Sequence, residues 1–243
     1  INWVVLGHSY AFTGYFMGGV SYAAELMKRR NFTLILNAIP SVDSFFTLSG
    51  FLVTYLLLKQ LTKTRRSRNQ WCTFWSGFYV HRYVRLTIPY LIAILVEGWI
   101  YRLVMTGPRA QQISNSGDFS SHAHCKKYWY TDLLYVNNLV PWKGGAEAGC
   151  LVQGWYLAND MQFFLIAPIF VTLLLWKPLI GLVGTGGAIL SSAITAAVLA
   201  ACYHLGPTAQ SDTTQKVAWL LYNKPWIRTV SYTHLTLPTI YSV

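Results

Sequence analysis

The chain has 243 residues, 53% hydrophobic and 11% charged, with a mean hydropathy of +0.35. Soluble domains carry ~25% charged residues, so the balance excludes an ordinary soluble enzyme and a disordered chain, and indicates a membrane protein. Lys and Arg number 19 against 8 Asp and Glu, a net charge of +11. These cations lie in short loops between apolar runs, which argues for membrane topology and against a nucleic-acid partner.

In chain order, INWVVLGHSYAFTGYFMGGV reads as a first span that opens in mid-helix. It lacks the charged start and cleavage site of a signal peptide, so the chain is expected to be part of a longer one. His8 lies inside this apolar run. It is either a histidine that hydrogen-bonds a neighbouring helix or a functional group, since ionisable residues at membrane depth are functional candidates. The stretch 23–37 is a connector, with a glycosylation sequon at Asn31-Phe32-Thr33. A second span is expected over Pro40–Leu58. Asp43 suits a helix N-cap, and Ser49-Gly50 a close helix approach.

The loop Lys59–Trp71 holds Lys59, Lys63, Arg65, Arg66 and Arg68 and no acid, so it is expected on the cytoplasmic side. The next span runs outward over Phe78–Met105, with His81, Arg82 and Arg85 at its cytoplasmic end. Arg82 and Arg85 are three apart and share a helical face. Two readings follow: positive-inside anchors, or a guanidinium fork for phosphate or carboxylate. Pro89 removes a helical hydrogen bond and predicts a kink.

Thr106–Lys127 is polar and expected outside, followed by a short interfacial or re-entrant helix over Tyr128–Pro141. Cys125 and Cys150 both fall on this oxidising side, which predicts a disulfide between them. Cys72 and Cys202 fall near opposite faces and are expected free. Trp155–Trp176 is an inward span whose early polar residues, Asn159, Asp160 and Gln162, either glue helices together or line a pocket. Leu179–Tyr203 is rich in Gly, Ala and Ser and reads as a tightly packed span. Val217–Arg228 begins another element. The tail from Ser231 resembles translated cloning adapter, so 1–230 is expected to be a partial transmembrane domain and 231–243 non-native. The fold class expected is an all-α integral membrane protein, a multi-pass helix bundle with about five to six spans. No spacing of His, Cys or acidic residues suggests a metal, and no resident cofactor is expected.

Several runs together carry a resemblance: GHSYAF around His8, VDSFFTLSGFLVTYLLLK from Val42, FYVHRYVRLTIPY from Phe78, CKKYWYTDLLYVNN from Cys125, WYLANDMQFFLIAPI from Trp155 and YNKPWIR from Tyr222. In this order they resemble the acyltransferase 3 family, in its animal nose-resistant-to-fluoxetine branch. The resemblance implies a domain of roughly ten helices that moves acyl groups onto hydroxyl acceptors. His8 matches the family's intramembrane histidine, whose arginine partner would fall ahead of Ile1. Arg82 and Arg85 match its Arg-x-x-Arg. These matches imply a catalytic base at His8 and binding of the acyl-CoA donor's phosphates by Arg82 and Arg85. Asp43 and Asp160 are candidates for orienting the imidazole or a hydroxyl-bearing lipid or small-molecule acceptor. A membrane of the endoplasmic reticulum or the cell surface is expected. The alternative is a lipid or small-molecule transporter with His8, Glu97 and Asp160 along its path.

Overall fold

A computed structural model describes residues 2–16, 25, 29–32, 35, 41–62, 68–104, 122–142, 149–151, 153–205 and 217–233. The longer helices are α1 (Asn2–Phe16), α2 (Ser41–Thr62), α3 (Arg68–Leu95), α4 (His122–Leu133), α5 (Gly154–Trp176), α6 (Pro178–Tyr203) and α7 (Pro225–Thr233), and a single turn, Tyr101–Val104, follows α3. Short 3-10 and π turns join them, and no strand occurs among the described residues. Four stretches are long and apolar enough to cross a bilayer: Ser41–Leu61, Trp71–Ile100, Gly154–Trp176 and Pro178–Tyr203. The chain is an all-α, multi-pass integral membrane protein. The first expected span is described only as α1.

The core lies where α2, α3, α4 and α5 meet, with Phe46, Tyr90, Ile94, Ala158, Phe163 and Phe164 buried in it. Phe78 stacks on Phe164 with ring centroids 4.5 Å apart, fixing α3 against α5. α7 packs against α2, α5 and α6. Its approach to α2 depends on Gly50, where a Cβ would stand 2.5 Å from the Tyr232 carbonyl oxygen. The expected small-residue contact at Ser49-Gly50 is therefore made.

Two expectations are revised. α3 begins at Arg68, well before Phe78, because Trp71, Phe74, Trp75 and Phe78 stack along its first turns. Arg82 consequently lies ~16 Å along the helix from Trp71. Pro89 lies inside α3, as expected of a proline within a span, and the π turn Val96–Ile100 follows the helix. The short helix expected from Tyr128 starts at His122 and stops at Leu133, giving way to turns through Trp142.

α6 differs most from its expectation. Of its small residues, Gly181, Thr185 and Ser192 are buried, but a Cβ on Gly186 or Gly187 would meet nothing within 4 Å among the described residues. Most of α6 faces outward with leucine, isoleucine and valine, as a lipid-facing helix does. At the end, a π turn (Ala218–Tyr222) leads into α7, whose first residue is Pro225, where a missing N–H costs nothing. α7 continues past 230 to Thr233, with Tyr232 buried. The tail from 234, the core of the basic loop at 63–67 and the polar loop at 105–121 lie outside the described residues.

Candidate functional site

Of the site residues expected from the sequence, Arg82 and Asp160 join one ion-paired group and Asp43 another, while His8 lies on α1 and Arg85 outside both pairs. His8 is exposed, and its Nδ1 lies 2.9 Å from the carbonyl oxygen of Val4 one turn earlier. A carbonyl oxygen can only accept, so in this contact Nδ1–H is the donor. α1 packs against α2.

The first group joins α2, α3 and α5. Arg82 Nη2 donates to Asp160 Oδ2 at 2.5 Å, and Ser49 Oγ donates to Asp160 Oδ1 at 2.5 Å. The Arg82 guanidinium lies 4.2 Å over the ring of Phe164. Asp160 and Phe164 are four apart on α5, so one helical face offers both a carboxylate and an aromatic plane. Arg82 Nε is buried with no acceptor among the described residues. Arg85, by contrast, is exposed and shares an open groove with Gly77, Val80, His81 and Val84. The two arginines therefore do not form a joint fork here: a carboxylate on the facing helix has drawn Arg82 inward.

The second group joins α2 and α7. Asp43 lies in the first turn of α2. Its carboxylate accepts from Arg228 Nη1, 2.7 Å from each oxygen, and from Ser231 Oγ at 2.8 Å. Arg228 is buried, with its guanidinium over the rings of Tyr222 (4.4 Å) and Trp155 (5.6 Å).

Two buried polar clusters brace these groups. Asp132, at the end of α4, is 0% exposed and accepts from Tyr90 Oη (2.7 Å) and Asn137 Nδ2 (3.0 Å). Burial pushes its carboxyl from the usual 3.8 up to about 6, against the opposing pull of those hydrogen bonds. Gly154 seats α5 on this cluster, since a Cβ there would overlap Tyr90 Oη and Asn137 Nδ2. Cys125 and Cys150 form the expected disulfide beside it, packed on Gly98. Cys72 and Cys202 are free thiols.

In the second cluster Asn138 Nδ2 donates to Asn159 and Gln162, and Asn159 Nδ2 donates to the carbonyl of Asn223. Lys224, 0% exposed, donates to the carbonyl of Asn138 and lies 4.5 Å from the Trp142 ring. Burial lowers its ammonium from 10.5 to about 8. Among the described residues no group of three or more His, Cys, Asp or Glu could hold a metal.

The sequence reading missed Ser49, Tyr90, Asp132, Lys224 and Arg228 as individual groups. A signal was present: Asp132, Asn137 and Asn138 lie in the run from Cys125, and Lys224 and Arg228 in YNKPWIR, two of the runs that carry the family resemblance.

Comparison with known proteins gives this arrangement a context. A family model described as an acyltransferase domain matches residues 1–232. The chain is similar to nose resistant to fluoxetine protein 6 of Caenorhabditis elegans, 29% identical over 93% of this chain and 28% of that protein. It is similar to the regulator of hypoxia-inducible factor 1 of Caenorhabditis elegans, 26% identical over 74% of this chain and 32% of that one. It is similar also to the peptidoglycan O-acetyltransferase OatA of Listeria monocytogenes, 29% identical over 60% of this chain and 21% of that enzyme. The chain thus spans at most 32% of the length of these relatives. No solved structure gives a significant match.

Proposed function

The chain belongs to the acyltransferase 3 family, and from that premise we propose that the protein moves an acyl group from acyl-CoA to a hydroxyl on a lipid or small-molecule acceptor. One observation carries the reading: Arg82 stands inside the helix bundle with a buried guanidinium N–H that has no acceptor among the described residues, one turn from exposed Arg85. A cation held within a span is costly unless it serves a partner or a ligand. Phosphate satisfies guanidinium donors with short, charged hydrogen bonds. The likeness to an enzyme named as a peptidoglycan O-acetyltransferase supports oxygen as the acceptor atom.

In the proposed reaction Arg82 and Arg85 hold the phosphates of the donor. The His8 imidazole takes the proton of the acceptor hydroxyl as the hydroxyl oxygen attacks the thioester carbonyl. The new C–O ester bond forms, the C–S bond breaks, and coenzyme A leaves as thiolate, which takes the proton back from the imidazolium. Asp43 and Asp160 orient the groups around them, each already fixed by an arginine and a serine hydroxyl. The disulfide and the sequon suit a membrane of the secretory pathway, the endoplasmic reticulum or the cell surface.

The competing reading is transport of a lipid or small molecule, favoured by the Arg82–Asp160 pair within the span, since buried ion pairs also mark substrate paths. Transfer of label from radiolabelled acyl-CoA to a panel of hydroxyl acceptors by the full-length protein in nanodiscs separates the two. The account expects transfer that is lost in His8→Ala. Absence of transfer across the panel, together with uptake of an acceptor into liposomes, would establish transport instead.

A further inference from the structure

We propose that Asp160 is the resting counter-ion of Arg82, held in a one-pronged grip by Ser49 so that an incoming polyphosphate can displace it. This rests on the reading of Arg82 as a donor-binding residue and adds the group that tunes its affinity.

In a guanidinium, Nε–H and one Nη2–H point along the same edge of the planar group and together make one fork for an oxyanion. In Arg82 that edge is half used: Nη2 donates to Asp160 Oδ2 at 2.5 Å, while Nε is buried with no acceptor among the described residues. A carboxylate beside such an edge normally takes both prongs, because the bidentate arrangement is the stronger one. Asp160 does not, because its other oxygen, Oδ1, accepts from Ser49 Oγ at 2.5 Å. Ser49 comes from α2, Arg82 from α3 and Asp160 from α5, so three separate helices fix this half-filled edge.

An empty buried donor is costly, and three helices hold it in place. The arrangement favours a ligand that brings an acceptor to Nε and then exchanges for Asp160 at Nη2. A polyphosphate can do this stepwise with neighbouring oxygens, keeping the cation paired throughout. A neutral donor cannot, so the pair also selects for anionic donors. Once displaced, Asp160 keeps the Ser49 hydroxyl as its partner, so its charge is not abandoned in the bundle.

The mechanism makes two substitutions act in opposite directions. Asp160→Asn removes the competing charge at nearly constant shape and should tighten the binding of coenzyme A. Ser49→Ala frees Oδ1 to swing onto Nε, converts the grip to bidentate and should weaken it. Ser49→Thr keeps the hydroxyl and should bind as the unaltered protein does. The experiment measures the Kd of coenzyme A by calorimetry on full-length protein in nanodiscs, after a thermal scan establishes that each variant is folded. The expected result is roughly tenfold tighter binding in Asp160→Asn, the change that corresponds to ~1.4 kcal/mol, with weaker binding in Ser49→Ala and in Arg82→Ala. If Arg82→Ala weakens binding but Asp160→Asn weakens it too, or Ser49→Ala leaves it unchanged, the counter-ion proposal fails while Arg82 remains a donor-binding residue. If Arg82→Ala leaves the Kd unchanged, donor placement and proposal fall together. Should Asp160→Asn not fold, the contrast between Ser49→Ala and Ser49→Thr decides alone.

Discussion

Arg228 and Asp43 are 185 positions apart in the chain, yet Arg228 Nη1 lies 2.7 Å from each oxygen of the Asp43 carboxylate. The contact fastens α7 to the first turn of α2, with the cation roofed by Tyr222 and Trp155. The Arg228 side chain is 5% exposed and that of Asp43 34%, so the guanidinium depends on this carboxylate far more than the reverse. Removing one partner of a fully buried pair costs ~3–5 kcal/mol. With Asp43 partly solvated, Asp43→Ala should cost about 2 kcal/mol in thermal unfolding. Arg228→Met should cost less, because it leaves only the more solvated partner behind. Equal losses in the two variants would mean that the exposure difference has no energetic consequence.

Asp132 gives a pH dependence opposite to that of most carboxylates. Its pKa is raised in the folded state from 3.8 to about 6, so between those values the folded protein binds more protons than the unfolded chain. Stability from this group is therefore full below pH ~4, declines as pH rises toward ~6 and stays lower above, a cost of about 3 kcal/mol at 1.36 kcal/mol per unit. Asp132→Asn should flatten this window. Unfolding midpoints measured from pH 4 to 7 check it, and an unchanged slope in the variant would assign the titration to another group.

Two glycines predict opposite outcomes of the same substitution. A Cβ at Gly154 would overlap Tyr90 Oη and Asn137 Nδ2 and approach Asp132 Oδ1 to 2.9 Å, so Gly154→Ala should force the α3–α5 contact apart and cost ~1–3 kcal/mol. A Cβ at Gly186 would meet nothing within 4 Å, so Gly186→Ala should be neutral or gain up to ~1 kcal/mol from helix propensity. Equal effects in denaturation would show that packing at Gly154 is looser than the geometry requires.

The Cys125–Cys150 bridge closes a loop with a sequence separation of 25. In the chain-entropy picture that is worth ~3 kcal/mol. The Cys125→Ala, Cys150→Ala double variant should lose about that much. Mass spectrometry of unreduced peptides should recover the pair, whereas Cys72 and Cys202 should react with a thiol reagent.

Much of the architecture was legible in the sequence because a bilayer imposes a simple code. Pro40–Leu58, Trp155–Trp176 and Leu179–Tyr203 are long apolar runs, and helices occupy Ser41–Thr62, Gly154–Trp176 and Pro178–Tyr203. The disulfide was legible because the two cysteines flank one loop on one side. What was not legible depends on which helix faces touch. Arg82 and Arg85 look alike in FYVHRYVRL, and only the neighbouring α5 distinguishes them, by placing Asp160 against one and leaving the other exposed. The early start of α3 was hidden because RNQWCTFWSG is too polar and aromatic to read as a span, although its rings stack along a helix. Asp132 is a lone acid in a short aromatic segment. Its burial comes from Tyr90 and Asn137, which meet only in three dimensions.

The most direct test of the proposed reaction is steady-state kinetics on folded, membrane-inserted full-length protein, with acyl-CoA and an accepted hydroxyl substrate. His8→Ala should lower kcat by ~10²–10⁴-fold with little change in the KM for acyl-CoA, because a general base acts in the transition state. Arg85→Ala should chiefly raise that KM, by roughly 10- to 150-fold for a lost charged hydrogen bond of ~1.5–3 kcal/mol, and Arg85→Lys should restore only part of it. A His8→Ala protein with undiminished kcat would contradict the account.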